Sequence, residues 1–207
     1  MKVFKLVYST VLACLAVGCT HEALPKPRGY FRIDVPEKSY HVFEGKCPFT
    51  IEVPDYSRIE IVENHNSLDS CWFNIAIPRL NARIHCTYLP VSGNLDKLLR
   101  DAFEYAFKHE AKASAIDRII ISDDATRVYG LIYDIKGNVA SQVQFYCTDS
   151  VHHFLRGSLY FENMPNADSL APVVGFLKAD IMHLAESLEW VETTADTRDR
   201  KKEQPTP

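Results

Sequence analysis

The densest group of chemically capable side chains is Thr148-Asp149-Ser150-Val151-His152-His153. A hydroxyl, a carboxylate and an imidazole this close together suggest a hydrolase. Ser150 would be the nucleophile, His153 its base and Asp149 the orienting acid. The spacing argues against it. A serine and a histidine three residues apart on a turn rarely hold the line that a triad needs, which is normally assembled from distant segments. No Gly-x-Ser-x-Gly elbow occurs in the chain. The plainer role of Thr148, Asp149 and Ser150 is to hydrogen-bond the backbone of their own turn. No catalytic residue is therefore assigned, and no enzyme activity is expected.

Metal binding has less support still. His152 and His153 are adjacent, so on a strand they point to opposite faces. His85 and His109 are far from them in sequence, and there is no HExxH and no histidine pair at i,i+4. Neither a metal nor a cofactor is expected. Arg156 offers a different chemistry. It lies mid-strand with Phe154, Ser158 and Tyr160 on the same face. An arginine among aromatics is a composition enriched where proteins dock. If no helix covers that face, Phe154, Arg156 and Tyr160 form a partner surface; otherwise the arginine stem simply packs on its neighbours.

These residues sit on a long β-hairpin followed by a return helix. Val143, Phe145 and Cys147 alternate with Gln142, Gln144 and Tyr146, and Leu155, Leu159 and Phe161 alternate with the Arg156 face. A helix follows, capped by Asp168 or Ser169, with Pro172 harmless in its first turn. Its stripe is Leu170, Val173, Val174, Leu177, Ile181, Leu184 and Leu188. Upstream, 71–77 and 82–88 flank Pro78-Arg79-Leu80-Asn81 as a second hairpin. An earlier helix opens at Asn94 and buries Leu95, Leu98, Leu99, Ala102, Phe103, Ala106 and Ala113. Segments 40–43, 49–53 and 58–63 read as short strands, the last with Ile59 and Ile61 inside. Segments 117–122, 127–135 and 140–148 read as three more, and 64–67 reads as loop. The predicted fold is one α+β domain over 28–191, a mostly antiparallel sheet of hairpins with two long packed helices. The plan resembles PsbP-like folds, an analogy that carries no activity.

The first 18 residues do not belong to that domain. Lys2 and Lys5 precede an apolar run, and Leu15-Ala16-Val17-Gly18-Cys19 has the form of a bacterial lipobox. Cleavage before Cys19 and acylation of its thiol would leave 189 residues on a lipid anchor. Residues 19–27 are expected to form a tether, and 192–207 a disordered charged tail. The formal charge of −4 becomes −6 once Lys2 and Lys5 are removed. That leaves no electrostatic case for nucleic acid. The membrane is engaged by lipid alone, since no second apolar run approaches spanning length. In an exported chain, disulfides persist. Cys47 and Cys71, near strand or loop ends, are the preferred bridge. Cys86 and Cys147 are either a second bridge or two buried thiols, since four cysteines allow three connectivities.

Several dispersed strings resemble the gliding-motility lipoprotein GldD family of Bacteroidetes. They are Pro25-Lys26-Pro27-Arg28-Gly29-Tyr30-Phe31-Arg32-Ile33, Cys71-Trp72-Phe73-Asn74-Ile75, Asn81-Ala82-Arg83-Ile84-His85, Val128-Tyr129-Gly130, Gly137-Asn138-Val139-Ala140-Ser141, Thr148-Asp149-Ser150, and His153-Phe154-Leu155-Arg156-Gly157-Ser158-Leu159-Tyr160-Phe161. The resemblance implies a membrane-anchored envelope protein required for gliding. It also implies other gliding or type IX secretion proteins as partners, and it brings no catalytic residues. Cys86 departs from the family pattern, so the resemblance does not imply a Cys86–Cys147 bridge. Thr20, His21 and Glu22 lack an acidic surface-export run, so a periplasm-facing domain is expected. The alternative is an envelope hydrolase or small-ligand binder using the 149–153 turn.

Overall fold

A computed structural model describes residues 33–62, 71–162 and 166–191. The lipobox cysteine Cys19, the 19–27 tether, the 64–67 loop and the 192–207 tail lie outside the described residues. Those that are described fall in one compact unit beginning at Ile33. In chain order they form β1 (Tyr40–Glu44), β2 (Phe49–Pro54), β3 (Arg58–Val62), β4 (Cys71–Ile77) and β5 (Ala82–Pro90). Next come helix α1 (Leu95–Phe107), β6 (Ala113–Asp123), β7 (Val128–Gly137), β8 (Ser141–Thr148) and β9 (His153–Phe161). Helix α2 (Ala167–Glu186) and the short β10 (Glu189–Trp190) complete the described elements.

Two antiparallel sheets result. The large one has seven strands in the order β3-β4-β5-β9-β8-β7-β6, and the small one runs β1-β2-β10. The α+β domain of antiparallel hairpins with two helices is thus the fold that the alternation predicted. Side chains of alternating strand residues separate into two faces. The inner face carries Phe73, Ile75, Ile84, Phe145, Leu155 and Leu159. It packs on Phe49, Ile51 and Val53 of β2 and on Leu177, Ile181 and Leu184 of α2, all in one buried cluster. Gly157 sits where the Phe145 ring crosses β9. A Cβ there would lie 2.2 Å from the ring's Cε1.

The outer face is only partly covered. Helix α1 lays Leu98 and Ala102 on Phe154, and Ala106 on Tyr133, Ile135 and Val139. It ends at Phe107, so Ala113 is not on its stripe. Ala113 starts β6, where it pairs with Gly137. Phe103 is also not buried, being 43% exposed and stacked on Phe107. At α2 the cap is Asn166, two or three residues earlier than expected, whose side chain accepts from the Ser169 N–H at 3.2 Å, so Pro172 lies inside the helix beyond its first turn. Ile61, expected inside, is exposed because β3 is an edge strand that the small sheet does not shield.

Three features pin the small sheet to the rest. Cys47, between β1 and β2, is disulfide-bonded to Cys71 at the start of β4, with Cα atoms 5.7 Å apart. Trp190 of β10 donates its indole N–H to the Arg127 carbonyl at 3.2 Å. Asp180, buried on α2, accepts from Lys38 Nζ at 2.5 Å, from the Tyr40 hydroxyl at 2.8 Å and from the Tyr56 hydroxyl. Burial and the neighbouring carboxylate raise the Tyr40 hydroxyl to about 12, and they push Tyr56 up as well. Cys86 and Cys147 are two buried free thiols, which settles the choice left open above. Burial pushes the Cys147 thiol up to about 12, so thiolate chemistry is suppressed there.

Candidate functional site

The 149–153 turn is built by hydrogen bonds from its own side chains. Asp149 Oδ1 accepts the backbone N–H groups of Val151, His152 and His153 at 2.8–3.0 Å. Thr148 Oγ1 donates to the His153 carbonyl at 2.6 Å and accepts the Ser150 N–H at 3.0 Å. Ser150 takes a left-handed φ of 70°. Asp149 is buried, and its Oδ2 lies 3.9 Å from His152 Nδ1. The His153 ring is directed elsewhere. Its Nδ1 shares a hydrogen bond with the Tyr88 hydroxyl at 2.9 Å, and its face stacks on Trp190 with centroids 5.0 Å apart. A triad needs the carboxylate on the histidine Nδ1. Here a tyrosine takes that place, and the carboxylate oxygen that would orient the base instead caps a turn.

The expected partner surface divides in two. Phe154 is buried under α1 and stacked on Tyr146, so it is removed from any docking surface. The expectation fails there because α1 crosses β8 and β9 at that end. Arg156 is half-buried at the margin of the helix, and Tyr160, beyond it, stays 36% exposed. The Arg156 guanidinium lies 4.2 Å from the centre of the Tyr105 ring of α1. Its Nη2 donates to Gln144 Oε1 and Ser158 Oγ, each at 3.3 Å. Burial lowers its proton affinity, against the pull of Tyr105, Tyr160 and Asp101. Sequence pattern named Arg156 but missed its roof, Tyr105, and its holder, Gln144. The partners come from three elements, and only strand register joins them.

That register extends the site outward. Arg156 stands opposite Thr87, Ser158 opposite His85, and Tyr160 opposite Arg83. His85 in turn faces Asn74, and Thr87 faces Trp72. These residues share the outer face over β4, β5 and β9, and of them Arg156 lies against Tyr105 of α1. His85 Nδ1 meets Asn74 Oδ1 at 2.7 Å, and the His85 ring meets Tyr160 edge-on at 5.4 Å. Burial and the Arg83 charge lower the His85 pKa, so it stands neutral near pH 7. Arg83 is paired to Glu60 at 3.3 Å and to Glu162 at 3.7 Å. Trp72 is 40% exposed. The open face is thus polar and aromatic, with fixed side chains.

A family model described as gliding motility lipoprotein GldD matches residues 20–190 of the chain. The chain belongs to this family. No curated protein gives a significant match. Membership makes this a gliding motility lipoprotein by family, held at an envelope membrane. Among the described residues no helix is long and apolar enough to cross a membrane. The strings that carried the resemblance supply both faces of the large sheet. Phe73, Ile75, Ile84, Leu155 and Leu159 build the core. Trp72, Asn74, Arg83, His85, Arg156, Ser158 and Tyr160 build the open outer face.

Proposed function

We propose that this GldD-family domain is a noncatalytic interaction or assembly component of the gliding apparatus, linked to the type IX secretion system. Acylated Cys19 anchors it, the 19–27 tether spaces it from the membrane, and the domain faces the periplasm. The observation that carries this reading is the outer face beside α1, where the Arg156 guanidinium and the Trp72 and Tyr160 rings are presented on a rigid sheet. The hydrolase alternative loses its geometric support, because Asp149 and His153 already serve the turn and Tyr88.

Crosslinking the tagged lipoprotein in living cells, with identification of what co-purifies, tests the proposal. Gliding or secretion components are expected. Cys19→Ala should mislocalise the protein and stop gliding, whereas Ser150→Ala should leave motility intact. A fully motile Cys19→Ala strain with normal protein levels would overturn the anchored-module reading. Loss of gliding in a folded, normally abundant Ser150→Ala protein would restore the enzyme.

A further inference from the structure

Half-burying a guanidinium has an energetic cost unless hydrogen bonds and an opposite charge compensate. Arg156 has the first and lacks the second. Both of its hydrogen bonds leave from Nη2 and end on neutral oxygens, Gln144 Oε1 and Ser158 Oγ. Those two holders are themselves buried, at 2% and 4% exposure, so the guanidinium is held in place. Among the described residues no carboxylate pairs with it. Asp101, which favours its charge, is itself engaged by Lys97 at 2.7 Å. Arg83, the other arginine on the open face, is neutralised by Glu60 and Glu162. Among the described residues Arg156 is therefore a held cation without a counter-charge. The Tyr105 ring lies against it, and Thr87 and Tyr146 flank it in register.

We infer that Arg156 is the docking point for a carboxylate on an acidic segment of a partner protein, seated between Tyr105 of α1 and the open strands β5 and β9. This rests on the interaction-module reading and names the chemistry of the partner. An arginine has five N–H donors. Nη2 supplies the two bonds seen, which leaves Nε–H on one edge or the Nη1 protons on the other for the incoming anion. Hydrogen bonds to an ionised acceptor are about twice as strong as neutral ones. The exposed Tyr105 and Tyr160 rings supply the desolvating apolar surround in which such a contact becomes a hot spot. The chain as a whole is acidic, at −4. An acidic partner is thus not drawn by the general field, and the attraction is confined to this point.

The test uses the full lipoprotein in detergent. One probe is a fluorescent peptide of alternating aspartate and glutamate, and the second is its asparagine/glutamine counterpart. Glycerophosphoglycerol, the water-soluble headgroup of phosphatidylglycerol, is the third. Saturable, salt-sensitive binding of the acidic peptide alone is expected, weakened about tenfold or more in Arg156→Gln. Gln144→Glu places a carboxylate against the guanidinium from within. It should abolish peptide binding in a folded protein, although it gives up the bond that Gln144 Nε2 donates to the Tyr105 carbonyl at 3.4 Å; a merely structural arginine would leave peptide binding as it is. Equal binding of both peptides overturns the inference. So does unchanged affinity in folded Gln144→Glu or Arg156→Gln, or binding of the lipid headgroup alone. In cells the two readings separate. If wild type and Arg156→Gln recover the same partners, the docking point is wrong and the module stands. If the wild type recovers none, the module reading itself fails.

Discussion

Asp180→Ala gives the sharpest test of how the small sheet is held. The carboxylate is 1% exposed and takes three donors, the Lys38 ammonium and the hydroxyls of Tyr40 and Tyr56. Each hydroxyl bond to a charged acceptor contributes about 1.5 kcal/mol at the low end of its range. Lys38 is one-third exposed, so water replaces much of its pairing and its share is held to about 1 kcal/mol or less. The sum, about 3–4 kcal/mol, agrees with the ~3–5 kcal/mol typical of removing one partner from a buried charged pair. For a domain of this size that is a fall of roughly 10 °C in Tm. Asp180→Asn keeps the shape and one acceptor but loses the charge, and should cost about 2 kcal/mol. The assay is equilibrium unfolding in urea, followed by far-UV circular dichroism. A double-mutant cycle with Tyr56→Phe should give a coupling of about 1 kcal/mol. A loss below about 1 kcal/mol for Asp180→Ala, or a coupling near zero, would refute the reasoning. The cluster would then be an ion pair that water replaces at no cost.

Three further outcomes follow from features already described. Replacing both Cys47 and Cys71 by serine opens a loop of sequence separation 24. It should cost about 3 kcal/mol, measured as a lower urea midpoint that matches the reduced wild type. Gly157→Ala forces a methyl into the Phe145 ring. It should cost about 1–3 kcal/mol of strain, relieved in part by the double change with Phe145→Leu. Burial alone would raise the Asp134 pKa, but Lys136 and Lys178, both 2.6 Å away, outweigh it and hold the carboxyl low. A carboxyl lower in the folded state contributes stability above its unfolded pKa of about 4, and that contribution disappears as pH falls through the folded value. Asp134→Asn should therefore flatten the acid limb of a stability–pH curve and leave its shape above pH ~5 unchanged.

The strands that build the outer face were legible because their alternation is local. The period of two places Arg156, Ser158 and Tyr160 on one face whatever lies above it. Which part of that face α1 covers is a non-local fact, and it took Phe154 out of reach while leaving Tyr160 exposed. Helix α1 was read too long because Ala111, Lys112 and Ala113 are good helix formers; pairing of Ala113 with Gly137 overrides that preference. Nothing local marks Asp180, a polar residue beside the apolar stripe of α2. Its partners lie 124–142 residues away in sequence, so no window of local pattern contains them. Tyr105 escaped notice for the same reason. It is an exposed helix aromatic until the register of β9 brings a guanidinium beneath it.

The Asp180 cluster also has a mechanical consequence. In a lipoprotein tethered by its N-terminus, load enters this domain at Ile33 and reaches β1 first. The β1–β2 hairpin opens at the Tyr40–Pro54 pair and closes at Glu44–Thr50. Tension at Tyr40 would peel that ladder one rung at a time, the weakest way to load a sheet. Lys38 and Tyr40 on one side of the opening and Tyr56 on the other are bolted to the same carboxylate of α2. At the far end the Cys47–Cys71 bond rivets the hairpin to β4. Force arriving from the tether is passed into the long helix and the large sheet before the first rung can part. A chain held by its N-terminus is thus braced at the point where a pull would arrive.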